Sequence, residues 1–230
     1  SNEVAKLCDG AGLSAEEVIS AGRFGYARTD LPSPGPVGGP CLSKDSHILA
    51  QSMKEYGVTP EITLAARKIN EEQPTDVVNF LGGVIKNTVG FPKKMVISLL
   101  GIAFKGKPAT DDMRGTTAKP ILDALKKTFP NAEFWGYDPV VHHDAIKEFG
   151  LIPKLDAREA ITKSHLVLIL NNHPLFSSIP LEKWALEMAR PGIVYDFWNN
   201  FSRKNLCLPV DIRYIALGSH KYANHEAALV

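Results

Sequence analysis

Val4, Leu7 and Cys8 recur at i, i+3 and i+4, so the chain opens inside an amphipathic helix over residues 1–9, broken at Gly10 and Gly12. Ser14 followed by Ala15, Glu16 and Glu17 reads as an N-cap with acids in the first turn. The short helix behind it carries Val18 and Ile19 and ends near Gly22. From Arg23 to Pro40 no period is visible, and Gly and Pro are frequent: this is loop. Three helices are then expected. The first runs from Asp45 to about Tyr56 and stops at Gly57. The second opens at Thr59-Pro60 and places Ile62, Ala65, Ala66 and Ile69 on one face. The third follows Pro74, with Val77, Val78, Leu81, Val84, Ile85 and Val89. Residues 1–90 thus form an all-helical unit whose apolar face suits either a core or a seam between two copies.

At Lys94 the period changes. Met95–Leu100 is a largely apolar run closed by Gly101, the pattern of a strand buried on both faces. Further strands are expected at Ala132–Tyr137, His165–Leu170, Gly192–Asp196 and Arg213–Gly218. Between them lie helices from Thr116 or Thr117 to Thr128, from Asp144 to Phe149, behind the capping box Asp156-Ala157-Arg158-Glu159, and from Leu181 to Ala189. Alternating strands and helices predict α/β architecture over residues 91–230. The sheet should be parallel and doubly wound, with ligands met at the carboxyl ends of its strands.

Bulk properties narrow the partners. The 230 residues carry a formal net charge of +1, so no global field favours nucleic acid. No apolar run reaches the length of a membrane span. Three cysteines, Cys8, Cys41 and Cys207, are an odd number without tight spacing, which points to reduced thiols and a cytoplasmic setting. The absence of an initiator methionine and the mid-helix opening point to a fragment.

Candidate chemistry sits at two places. Pro34–Asp45 holds three prolines, three glycines and Cys41, just ahead of the helix that starts at Asp45. A free cysteine is ordinarily a small buried hydrophobe. Here a rigid Gly–Pro loop presents it, and the helix N-terminus and Lys44 both favour a thiolate. The second place is Gly101–Lys107 with Thr110–Arg114. It lacks the Gly-x-Gly-x-x-Gly dinucleotide fingerprint, because Ala103 fills the middle position. It does put Lys105 and Arg114 at the sheet's carboxyl edge, as phosphate or carboxylate ligands or as solvated surface cations. Asn171-Asn172-His173-Pro174 ends a strand at the same edge and suits either ligand contact or a turn cap. His142 and His143 have no second pair at ligand spacing, so they read as a helix start and no metal site is expected.

Gly35-Pro36-Val37-Gly38-Gly39-Pro40-Cys41-Leu42-Ser43-Lys44-Asp45 resembles the active-site loop of the UDP-glucose/GDP-mannose dehydrogenase family. Pro40 before the cysteine and Ser-Lys-Asp after it are most similar to the UDP-N-acetylhexosamine branch. Leu-Gly-Ile-Ala-Phe-Lys with an Asp-Asp-x-Arg segment, and Asp138-Pro139, are similar to the same family's nucleotide-sugar domain. The resemblance implies oxidation of a sugar C6 alcohol to a uronic acid with NAD, through a thiohemiacetal and then a thioester on Cys41. It implies Asp45 as the group that positions the hydrolytic water or acts as base. Gly38, Gly39, Phe104 and Lys105 are implied for substrate, and Arg28 for a neighbouring subunit's substrate. Lys44 and Arg114 are implied for the cofactor.

A homodimer through the helical part is implied as well. The family's NAD-binding domain and its upstream catalytic Lys and Asn have no counterpart in these residues, so this chain alone is expected to bind a UDP-sugar weakly and not to catalyse. Where the family has Asp-x-Arg, this chain has Asp196-Phe197-Trp198. The other reading is a non-catalytic nucleotide-sugar-binding or dimerisation module.

Overall fold

The apolar runs pair into one six-stranded, all-parallel sheet in the order β3-β2-β1-β4-β5-β6. The strands are β1 (Val96–Leu100), β2 (Glu133–Tyr137), β3 (Ile152–Pro153), β4 (Leu166–Ile169), β5 (Gly192–Asp196) and β6 (Ile212–Ala216). The chain is described from a computed structural model over residues 1–25, 31–202 and 205–220. The strand order reverses between β1 and β4, so the crevice of this doubly wound sheet opens beyond Leu100 and Ile169.

Both faces of the sheet are covered, which explains why β4 and β5 are buried at every position. Period-two alternation sends Ile97 and Leu99 to one face and Leu100 to the other. On the first face lie α1 (Asn2–Ala11), α4 (Glu61–Lys86), α5 (Ala118–Thr128) and α6 (His143–Glu148). On the second lie α7 (Ala157–Ile161), α8 (Pro174–Ser178) and α9 (Leu181–Ala185). Ala5, Cys8, Val77, Val78, Leu81 and Ile85 share one continuous core with Ile97, Ile121 and Tyr195. For these residues the apolar helix face is core. Each large aliphatic side chain buried there contributes roughly 1.5–3 kcal/mol. By contrast α3 (Asp45–Met53) buries no residue, and Ile48, Leu49, Tyr56 and Ile62 around it are exposed.

Several boundaries follow the sequence signals. Ser14 accepts the Glu17 amide and caps α2 (Ala15–Arg23). Asp156 accepts the Glu159 amide at 2.7 Å, while the Glu159 carboxylate turns back to the Leu155 amide. Gly12 and Gly57 close α1 and the turn of 3-10 helix after α3 in the left-handed conformation. His142 caps α6 through Nδ1, accepting from the Asp144 amide.

Two expectations need correction. The helices separated at Pro74 are one 26-residue helix, α4, with Pro74 inside it and buried. Proline removes one backbone hydrogen bond, but Pro74 itself and Val77, Val78 and Leu81 are buried, and that packing outweighs the local penalty. The helix expected to reach Ala189 stops at Ala185. Two elements, α8 and the two-residue β3, were too short to leave a period in the sequence.

Candidate active site

Pro34–Cys41 is an irregular segment at the carboxyl edge of the sheet, mostly buried apart from Val37, and it emerges fully at Cys41. Pro34, Gly35, Pro36, Gly38 and Gly39 are buried, and Cys41 to Asp45 are exposed. The burial has a specific cause. The Gly39 amide donates to the Gly115 carbonyl at 2.9 Å. A Cβ on Gly38 would sit 2.5 Å from that same carbonyl oxygen, so no side chain fits. Gly39 holds φ +121, a backbone region L-residues rarely enter, and any Cβ on it would meet the Phe104 ring at 3.1 Å. Two loops far apart in sequence are therefore in backbone contact: Gly38–Gly39 lies on Phe104 and on the turn at Gly115.

That contact brings the thiol to the cations. Lys105 is half-buried, its ammonium 5.1 Å from the centroid of the Phe104 ring. Arg114 grips the Asp112 carboxylate with Nε at 3.0 Å and its terminal nitrogen at 2.7 Å. The Arg114 side chain, its backbone N–H and then the more distant Lys105 hold Asp112 down at about 2. Lys44 pairs with Asp45 at 3.0 Å. The hydrogen bond to Asp45 is the main cause that raises the Lys44 ammonium, and the one to Asp112 raises the Arg114 guanidinium. A deprotonated Cys41 adds a smaller pull on both. Lys44, Arg114 and Cys41 thus share one electrostatic neighbourhood, with Lys105 reaching it through Asp112.

Asp45 is the first residue of α3, and its amide donates to the Cys41 carbonyl at 2.9 Å. Its carboxylate faces solvent beside Lys44. Arg28 lies outside the described residues.

The loop after β1 is closed. Asp138 Oδ2 accepts the amides of Ile102 and Ala103 at 2.7 and 3.0 Å, and Oδ1 accepts those of Val140 and Val141. The Ile102 and Ala103 amides lead the turn where a dinucleotide's pyrophosphate would be held in a sheet of this order. A carboxylate of the chain already occupies them, so the residues present do not fit a dinucleotide there. Asn172 Oδ1 accepts the Gly106 amide, Asn171 donates to the Ala103 carbonyl, and His173 caps α8. The polar residues after β4 therefore lace the loops together and cap a turn.

Residues that sequence reasoning missed hold the thiol's loop. Asn70 on α4 accepts the Val37 amide at 2.9 Å and donates to the Val37 carbonyl at 2.7 Å. Arg67, one turn earlier, donates to the Leu42 carbonyl at 3.2 Å. Asn2 bonds both backbone groups of Gly35, each at 2.9 Å. The available signal was Asn70, a polar residue on the stripe that runs inward to Val77, Leu81 and Ile85, since buried polar groups need partners.

Residues 1–72 match the model for the central domain of the UDP-glucose/GDP-mannose dehydrogenase family, and residues 98–203 match the model for its UDP binding domain. The chain belongs to this family. Among its relatives, a UDP-N-acetyl-D-mannosamine dehydrogenase of Pyrococcus horikoshii is 29% identical over 197 residues, covering 84% of this chain and 42% of that protein. A UDP-glucose 6-dehydrogenase of Rhizobium meliloti is 27% identical, covering 94% of this chain and 48% of its own length. The fold matches a crystal structure of an NDP-N-acetyl-D-galactosaminuronic acid dehydrogenase from Methanosarcina mazei, with TM-score 0.79 and 23% identity over 97% of this chain and 48% of that one. The chain thus spans less than half the length of the family members it matches here. Within the family's two matched domains, the Cys41 loop falls in the central one, and Phe104, Lys105 and Arg114 fall in the UDP-binding one.

Proposed function

We propose that this chain is the thiol-bearing and UDP-sugar-binding part of an NAD-dependent nucleotide-sugar 6-dehydrogenase, which oxidises the C6 alcohol of a UDP-N-acetylhexosamine or UDP-hexose to a uronic acid. Residues 1–90 carry the nucleophile and residues 91–230 bind the nucleotide sugar. The observation that carries this reading is the backbone contact of Gly38–Gly39 with Gly115 and Phe104, which sets an exposed Cys41 at the edge where Lys105 and Arg114 emerge.

The Cys41 thiolate adds to the C6 aldehyde carbon, and the carbonyl oxygen takes up a proton, so the intermediate stays tethered. At the acid level the same sulfur holds a thioester. Water attacks its carbonyl carbon, the C–S bond breaks, and the carboxylate leaves while the thiol is restored. Asp45, beside Cys41, positions that water or takes its proton. Phe104 and Lys105, with Gly38 and Gly39, meet the sugar nucleotide, and Arg28 reaches the substrate of a second subunit. Two NAD molecules, bound one after the other, would each take one hydride from C6. The closed β1 turn does not hold NAD, so Lys44 and Arg114 are its contacts here and the rest of its site lies beyond these residues. The exposed apolar side chains on and around α3 favour a homodimer through the helical part. The enzyme works in the cytoplasm, and this chain alone binds a UDP-sugar without turning it over.

The test is Cys41→Ser in the enzyme completed with a dinucleotide-binding domain. Acid formation should fall by about a thousandfold or more. Acid formed at the wild-type rate overturns the assignment. A chain that binds UDP-sugar by calorimetry, with a Cys41 indifferent to alkylating agents, indicates a non-catalytic binding module instead.

A further inference from the structure

Three of the residues from Pro34 to Pro40 are prolines and donate no N–H, so the loop cannot be held by a regular ladder. Side chains hold it instead. The Asn2 amide takes both the N–H and the C=O of Gly35, and the Asn70 amide takes both groups of Val37. Gly35 and Val37 are two apart, so on an extended segment they present their backbone groups along one edge. The two asparagines, joined by a longer contact of 3.4 Å, stand where a neighbouring strand would stand.

Gly35 also meets Trp198. A Cβ built on Gly35 would lie 2.7–2.8 Å from Cζ3, Cε3 and Cη2 of the indole, so the ring packs directly on the glycine backbone. Trp198 is itself fixed at two points. Its Nε1 donates to the Leu170 carbonyl at 2.9 Å, and its backbone N–H donates to Asp196 Oδ1 at 2.9 Å. Leu170 directly follows β4, and Asp196 ends β5. The indole therefore transmits the position of two adjacent strand ends to the start of the Cys41 loop.

We propose that Asn2, Asn70 and Trp198 are positioning residues that set where Cys41 stands relative to the sheet's carboxyl edge. This rests on the reading of Cys41 as nucleophile. Trp198 performs this role where the family resemblance leads one to expect arginine. A flexible guanidinium side chain does not offer a bicyclic surface fixed at both ends, so the glycine at position 35 and the tryptophan at 198 form a matched pair.

The test has two parts. In this chain, amide hydrogen exchange over residues 35–41 is compared with that over residues 96–100 of β1. Asn70→Ala should speed exchange in the loop by about tenfold and leave β1 unchanged. Gly35→Ala should do the same because the added methyl meets the indole, and Trp198→Leu should do so by removing the surface on which Gly35 rests. Trp198→Phe, which keeps a ring and loses the Nε1 donor, serves if the leucine variant fails to fold.

In the completed enzyme, Asn70→Ala should lower kcat about a hundredfold and leave the KM for UDP-sugar within about twofold. Equal loss of protection in loop and β1, loop exchange unchanged by Gly35→Ala or by Trp198→Leu, or an unchanged kcat would each overturn the proposal. If Cys41→Ser keeps full activity while the exchange results hold, the clamp stands and the nucleophile reading alone fails.

Discussion

Two glycine-bearing loops meet at the carboxyl edge of this sheet, and they are built in opposite ways. The loop after β1 turns its amides inward onto the Asp138 carboxylate and is laced shut by Asn171 and Asn172. The loop before α3 has its backbone groups held from outside by Asn2, Asn70 and Gly115, and then releases Cys41 into solvent. In a sheet of this strand order the first loop is where a cofactor's phosphates are ordinarily met. Here that position is structural, and reactive groups collect around the second loop. The topology locates an edge, and the fate of a few backbone amides decides what the edge can hold.

Disabling the closed loop should have the largest effect. Asp138→Ala leaves four amides without their acceptor, and urea unfolding should show a loss of about 3–5 kcal/mol. The variant should gain no dinucleotide binding, because the glycine fingerprint is still absent. Wild-type stability under urea would show that the closure is incidental.

A smaller loss is expected when the packing between the helices and the sheet is titrated. His220 sits between the helices and the sheet, stacked on Phe80 at 3.8 Å. Its Nδ1 lies 3.2 Å from the Asp9 carboxylate on α1, and its Nε2 lies 2.7 Å from the Tyr195 hydroxyl on β5. Burial pushes the imidazole down to about 4. The folded protein therefore keeps the ring neutral while the unfolded chain protonates near its ordinary 6.5. Stability is full above pH 6.5 and is lost as pH falls towards 4, by on the order of 2–3 kcal/mol. Thermal melts of wild type and His220→Phe across this window check it: the variant should lose this part of the slope.

The smallest effect concerns the ligand edge itself. Lys105→Ala should weaken UDP-sugar binding about tenfold by calorimetry and leave the melting temperature nearly unchanged. Equal affinity would place the nucleotide away from the Phe104–Lys105 corner and break the link between the two loops.

How far these features could be read from the chain differs by residue. The five longer strands were legible because their apolar runs have no alternative use, and the Ser14 and Asp156 caps were legible because their acceptors lie three residues from their donors. Cys41, Lys105 and Arg114 were legible as chemistry, but their meeting was not, because it depends on Gly38 and Gly115 touching across the fold. Pro74 misled, since a local rule against proline in helices was overridden by burial on α4. Asn2 and Asn70 were illegible as partners because each acts on backbone 33 residues away. Trp198 could be noticed as a departure, but its contact with Gly35 needed coordinates.

The unbroken α4 has a mechanical meaning. Its leading turns grip Val37 and Leu42 through Asn70 and Arg67, while its trailing turns, Val77 to Ile85, are embedded among the side chains that cover β1. About 22 Å of rod separates Asn70 from Ile85. A methyl group gained or lost at the buried end should shift this helix, and with it the Asn70 and Arg67 side chains that hold the Cys41 loop. Substitutions deep in the interior, touching no ligand, should therefore retune this edge of the molecule from a distance.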